Sequence, residues 1–122
     1  MENRSVLIID DDLTLCEMTK EMLSMFNINA MIAETKEEAI NLYKEKQDDI
    51  WLIVFDMHLE QNTGVEVFNA LKKINGNFIP FLASGMITEA DKQKFEDIGF
   101  LEIIAKPFSM KTLKQKIMEY MV

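Results

Sequence analysis

Four apolar runs in this chain end on residues that could do chemistry. Asp10, Asp11 and Asp12 follow VLII, Asp56 follows IWLIVF, Ser84 follows IPFLA, and Lys106 follows LEIIA. If each run is a strand of a parallel sheet, these residues meet at one edge, because strand carboxyl ends line the ligand crevice of such sheets. Carboxylates gathered around one ammonium and one hydroxyl point to phosphoryl chemistry with a divalent metal. An aspartate is a poor nucleophile toward a phosphoanhydride or phosphoramidate, since both partners are negative. Bound Mg2+ removes that repulsion and holds the attacking oxygen in line. Magnesium takes six oxygens near roughly 2.1 Å, commonly one or two carboxylates plus phosphate oxygens and waters. Asp10, Asp11 and Asp56 match that demand.

Each residue also has an ordinary reading when taken alone. Asp10 to Asp12 could cap the following helix and complement its dipole. Ser84 could be a turn residue and Lys106 a solvated lysine. His58, the single histidine, has no neighbouring partner for a metal site and reads as a loop residue offering only its backbone. The joint occurrence of the acids and the lysine at strand ends outweighs these separate readings.

The elements that must position these residues are legible from periodicity. Ser5 to Ile9 is a buried-strand run, and Leu13 to Phe26 carries Leu15, Met18, Met22, Met25 and Phe26 at helical intervals with Asp12 as cap. Ile28 to Ala33 reads as a second strand. Thr35 and Glu38 have capping-box spacing before a helix ending near Gln47. Ile50 to Phe55 is the clearest central strand, and a polar loop from Met57 to Thr63 leads to Gly64 and a third helix stopped by Asn75-Gly76. Ile79 to Ala83 makes strand four. Thr88 caps a charged helix from Glu89 to Ile98 with a thin apolar stripe, Leu101 to Ala105 makes strand five, and Ser109 caps a last helix carrying Leu113, Ile117, Tyr120 and Met121. Such alternation implies an α/β, doubly wound, five-stranded parallel sheet with helices on both faces.

Composition limits the function classes. A length of 122 residues with 48% hydrophobic content fits a single domain, 1–122, with one core. The net charge of -8 and the absence of a Lys/Arg stripe argue against direct nucleic-acid binding. No run approaches the roughly 20 apolar residues of a membrane span, and no secretory start is present. Cys16 is the only cysteine; it cannot form an internal disulfide, reads as a buried structural thiol, and fits a reducing cytoplasm. Of the ten methionines, Met18, Met22 and Met25 keep helical spacing and are expected to fill core gaps.

With these residues in place, the chain resembles the receiver domain of bacterial two-component response regulators over essentially its whole length. The acidic pair is similar to Asp10-Asp11, the phosphoacceptor to Asp56, the glycine eight residues later to Gly64, the hydroxyl residue to Ser84, and the lysine before proline to Lys106-Pro107. The resemblance implies a flavodoxin-like strand order 2-1-3-4-5. It implies Mg2+ held directly by Asp11 and Asp56, by Asp10 largely through water, and by the main-chain carbonyl of His58. Lys106, Ser84 and the main-chain N–H groups of Met57 and Gly85 would receive phosphoryl oxygens. The bond before Pro107 would be cis. Implied partners are a sensor histidine kinase or phosphotransfer protein and a downstream target or fused output domain. The implied partners extend to a second copy in a phosphorylation-dependent homodimer, and the start just before strand one favours an amino-terminal receiver.

Some positions depart from the family. Glu60 stands where proline is common four residues after the phosphoacceptor, and Pro80 lies one residue closer to Ser84 than usual, so strand four is expected to enter differently. Ile103, three residues before Lys106, replaces the usual Tyr or Phe whose ring swings inward on phosphorylation. Coupling to the face of the fourth helix, fifth strand and fifth helix would then use backbone shifts and the thinly packed fourth helix. His58 and Met86 are a bulky pair beside the phosphoryl site that should hinder in-line water and lengthen the acyl-phosphate lifetime. A competing reading is a small Mg2+ phosphohydrolase of the haloacid-dehalogenase type, since Asp10, Asp12 and Thr14 fit D-x-D-x-T with Asp10 as nucleophile. That reading lacks a cap domain and a second acidic motif after strand four.

Overall fold

A computed structural model describes residues 4–85 and 87–121. Strands β1 (Ser5–Ile9), β2 (Asn29–Ala33), β3 (Ile50–Asp56), β4 (Ile79–Ser84) and β5 (Glu102–Ala105) alternate with helices α1 (Leu13–Ser24), α2 (Lys36–Lys46), α3 (Gly64–Ile74), α4 (Glu89–Ile98) and α5 (Met110–Glu119). The five strands pair in parallel, in the order β2-β1-β3-β4-β5. This is the flavodoxin-like arrangement. Strand four enters regularly despite Pro80, which pairs with Ile53, while its carbonyl accepts the Leu101 N–H at 3.0 Å.

Side chains alternate across β3 and so build two cores. Leu52 and Val54 face Cys16 and Leu23 of α1 and Leu113 and Ile117 of α5. Ile53 and Phe55 face Ala39 and Tyr43 of α2, Val67, Phe68 and Leu71 of α3, and Phe95 of α4. On this second side the rings of Phe55, Phe68 and Phe100 form a cluster, with Phe55 edge-on to Phe68 at 5.7 Å and to Phe100 at 5.8 Å. Each edge-to-face pair contributes about 0.5–1.5 kcal/mol beyond area burial. Every residue of β3 is buried, which makes it the fixed centre of the sheet.

Local signals set the helix starts. Asp12, Thr35, Thr63, Thr88 and Ser109 each accept an N–H from the first turn of their helix. Thr63 with Glu66 and Thr88 with Asp91 complete capping boxes, whereas Glu38 reaches back to the Glu34 N–H instead. Helix α4 has Phe95 as its one buried residue among those described.

Two expectations are corrected. Helix α1 stops at Ser24, and Asn27 takes the left-handed φ of 61° that asparagine tolerates. Of the three α1-region methionines, Met22 packs partly against the core, but Met18 is 55% and Met25 76% exposed. Helical spacing placed them near the apolar stripe; the face that meets the sheet is narrower, centred on Cys16, Thr19 and Leu23.

Candidate phosphoryl-transfer site

Register brings the chemical residues together. Ile9 pairs with Phe55, Asp56 with Ala83, and Ser84 with Ala105, so Asp10, Asp56, Ser84 and Lys106 come to the same sheet edge. Asp10, Asp56 and Ser84 are buried there, and Asp11 is exposed at its mouth. One carboxylate oxygen from each of Asp10, Asp11 and Asp56 lies within 4.8 Å of the others. Three hard oxygens at that spacing fit a small divalent cation such as Mg2+.

Lys106 ties two of these carboxylates together. Its Nζ lies 2.9 Å from Asp10 Oδ2 and 3.0 Å from Asp56 Oδ1. Its backbone is tied to the adjacent strand, the Lys106 N–H donating to the Ser84 carbonyl at 2.6 Å. The Lys106-Pro107 bond is cis. Asp10 is braced further. The Asp12 N–H donates to Asp10 Oδ1 at 3.0 Å, and the Cys16 thiol points at the Asp10 carbonyl at 3.4 Å. Burial, with the charges of Asp10 and Asp12 adding to it, pushes that thiol up to about 12, so Cys16 stays a neutral, inert packing group.

Burial is also the largest influence on Asp56 and raises its carboxyl above the usual range. The Lys106 hydrogen bond opposes this, the Asp10 charge adds to it, and the His58 N–H opposes it again. Crowding of carboxylates is thus a lesser cause than dehydration. For Lys106, burial works to lower the ammonium's pKa, but the hydrogen bonds to Asp10 and Asp56 outweigh it and the net shift is upward. The site holds its cation firmly.

The loop after β3 is fixed by its own bonds. Gly64 N–H donates to the Met57 carbonyl at 2.8 Å, Leu59 N–H to the Asn62 carbonyl at 2.9 Å, and His58 bridges Thr63. Gly64 has a steric reason to be glycine: a Cβ there would lie 2.7 Å from the Asp56 carbonyl oxygen and 3.0 Å from Leu82. Helix α3 can therefore start directly against the strand that ends on Asp56. The His58 side chain is exposed, and its N–H is the loop amide bonded to the Asp56 carboxyl. The Met57 N–H is occupied differently, donating to the Ala83 carbonyl at 2.8 Å. Gly85 follows Ser84 and is exposed. Met86 lies outside the described residues.

Asp12, the second acid of the D-x-D-x-T pattern, is exposed and turns its carboxylate to the Leu15 N–H as an N-cap. It stands outside the trio that could share a cation. Sequence reasoning missed the Thr63–Glu66 capping box that anchors the loop behind Asp56, although its T-x-x-E spacing is a sufficient signal.

Comparison with known proteins agrees with this geometry. Residues 6–118 match the family model described as "Response regulator receiver domain". The transcriptional regulatory protein YvrH of Bacillus subtilis is 32% identical over 118 residues, covering 96% of this chain and 48% of that protein. The chain thus spans about half the length of the curated relatives it matches. Among solved structures, a CheY-like receiver domain protein from Methanospirillum hungatei superposes with a TM-score of 0.81 at 26% identity, covering 95% of this chain and 91% of that one. The CheX-CheY-BeF3-Mg complex from Borrelia burgdorferi gives a TM-score of 0.87 at 21% identity over 98% and 90% of the two chains, a likeness of fold. From its β2-β1-β3-β4-β5 sheet, its acidic trio with Lys106 and the match over residues 6–118, this chain belongs to the response regulator receiver domain family.

Proposed function

We propose that this chain is a phosphorylation-activated switch of a two-component system, with Asp56 as phosphoacceptor. It is a signalling module that catalyses only its own phosphorylation and dephosphorylation. The observation carrying this reading is Lys106 Nζ lying within 3.0 Å of both Asp10 and Asp56 beside a three-carboxylate cluster. The donor is a phosphohistidine on a sensor kinase or phosphotransfer protein. Asp56 Oδ attacks phosphorus, an O–P bond forms, the P–N bond breaks, and its electron pair leaves on the imidazole nitrogen.

Asp11 and Asp56, Asp10 through water, and the His58 carbonyl would hold Mg2+, whose charge offsets the anionic repulsion between phosphoryl group and nucleophile. Lys106 pairs with one phosphoryl oxygen as its bond to Asp56 is exchanged. Ser84 and the Gly85 N–H receive others. The Met57 N–H joins them only on releasing the Ala83 carbonyl. The acyl phosphate then raises the population of an active conformer, and a target protein, a fused output domain or a phosphorylation-dependent homodimer reads it. A cytoplasmic setting suits these partners. Among the described residues no helix is long and apolar enough to cross a membrane.

Intact-mass spectrometry after incubation with acetyl phosphate and Mg2+ tests the assignment. One phosphoryl adduct, lost in Asp56→Asn and retained in Asp12→Asn, is expected. An adduct that survives Asp56→Asn and disappears with Asp10→Asn would transfer the nucleophile to Asp10 and favour the hydrolase reading.

A further inference from the structure

At the end of the sheet opposite the phosphoryl crevice, β4 and β5 begin and α3 and α4 end. Between them lies a cavity of about 230 Å³ whose lining includes Phe68, Lys72, Phe78, Pro80, Gly99 and Leu101. It is smaller than the roughly 300–1,000 Å³ of a drug-sized pocket, so its occupant is a single ring with a short chain. Phe68 and Phe78 stand edge-on at 6.0 Å, Pro80 is buried, and Leu101 remains 52% exposed at the rim. Walls of this kind take an aromatic ring by offset and edge-to-face contacts.

Gly99 keeps the cavity open. It ends α4 with a φ of 132°, a region that favours glycine, and a Cβ there would crowd Phe68 Cζ at 3.3 Å and approach Lys72 Nζ at 4.0 Å. The Lys72 ammonium thus stands beside the same opening, 5.4 Å from the centre of the Phe68 ring. Among the described residues the ion pairs are those of Lys106 and Lys116, so Lys72 has a ring contact there and no carboxylate partner. An aromatic face attracts a cation without neutralising it, and the charge stays available to an anion. The carbonyl ends of α3 and α4 repel anions. A ligand must therefore place its negative group at the ammonium and its ring among the apolar side chains.

We propose that this cavity binds a small aromatic carboxylate, with the ring against Phe68, Phe78 and Leu101 and the carboxylate on Lys72 Nζ. The site shares no residue with Asp10, Asp11, Asp56, Ser84 or Lys106, so it stands or falls separately from the phosphoryl reading.

Titration of the whole chain with 3-phenylpropionate, followed through backbone amide resonances, tests this. Residues 76 to 78 and 99 to 101 should shift saturably with a Kd on the order of 1 mM, and the neutral 3-phenylpropanamide should bind at least about threefold more weakly. Lys72→Gln should weaken the carboxylate by about three- to fivefold and leave the amide unchanged, whereas Lys72→Arg should retain the preference for the carboxylate. Leu101→Ser, which removes apolar wall rather than charge, should weaken both ligands. Circular dichroism and thermal unfolding establish that each variant is folded. The absence of saturable shifts at these residues would overturn the proposal, as would equal binding of acid and amide, or binding indifferent to Lys72→Gln and Leu101→Ser in folded protein.

Discussion

Lys106 Nζ donates to Asp10 Oδ2 across 2.9 Å although the two residues stand 96 positions apart. The same ammonium reaches Asp56 at 3.0 Å. It therefore pairs with two buried carboxylates at once, and under the proposed function the same ammonium meets the incoming phosphoryl oxygen.

Replacing Lys106 with Met leaves Asp10 and Asp56 facing each other at low exposure. The metal-free variant should lose about 1–3 kcal/mol in urea unfolding, less than a fully buried pair because Lys106 is partly solvated. Added Mg2+ should return part of that loss while phosphorylation by acetyl phosphate stays depressed. A variant as stable as the parent in EDTA would show that Lys106 does not offset the repulsion.

The Asp56 carboxyl is raised in the folded state, so between about pH 4 and its folded pKa the native protein binds more protons than the unfolded chain. Stability contributed by this group is present at low pH and falls as pH rises through that window. In EDTA, Asp56→Asn should flatten this part of the stability curve. The Lys106 ammonium, also raised, contributes stability that persists below its unfolded pKa and is lost as pH climbs through the folded value. Parallel curves for parent and Asp56→Asn would refute the Asp56 shift.

Gly64→Ala puts a methyl group 2.7 Å from the Asp56 carbonyl oxygen. Backbone must move, at about 1–3 kcal/mol. Because the displaced atoms belong to Asp56, the proposed phosphoacceptor and a member of the carboxylate trio, Mg2+ affinity should fall together with stability. Unchanged Mg2+ binding by calorimetry would count against this coupling.

The His58 side chain is exposed and its N–H bonds the Asp56 carboxyl; if the imidazole shields the site from in-line water, His58→Ala removes that shield while the backbone N–H remains. Loss of the acyl phosphate should accelerate severalfold, read by the decay of the phosphorylated mass. An unaltered lifetime would show that the imidazole does not guard the site.

Ile103 is half-buried against the second core and cannot swing as a ring does. The adjacent Glu102 is tied to α5 by Tyr120 at 2.7 Å and Lys116 at 3.4 Å, and α4 has Phe95 as its buried anchor. Beryllofluoride with Mg2+ should shift backbone amide resonances across residues 87 to 105. Identical spectra there would exclude this route of coupling.

Much of the site could be read without the fold. Apolar runs of strand length ending in Asp, Asp, Ser and Lys specify where the chemistry lies, because parallel strands bring their carboxyl ends to one edge. Helix starts were equally legible at Asp12, Thr35, Thr88 and Ser109, since capping is decided by residues three apart. Long-range relations were not. Only the register across β1, β3, β4 and β5 puts Asp10 beside Asp56 within reach of one ammonium, and only sheet packing decides how much of α1 is covered. Met18 and Met25 obey the helical period yet lie beyond the contact with β1 and β2, because periodicity defines a direction around a helix and tertiary packing defines how wide an arc is buried. Likewise, the raised Asp56 carboxyl follows chiefly from dehydration at the end of a fully buried strand, a property of the folded surroundings that no local spacing encodes.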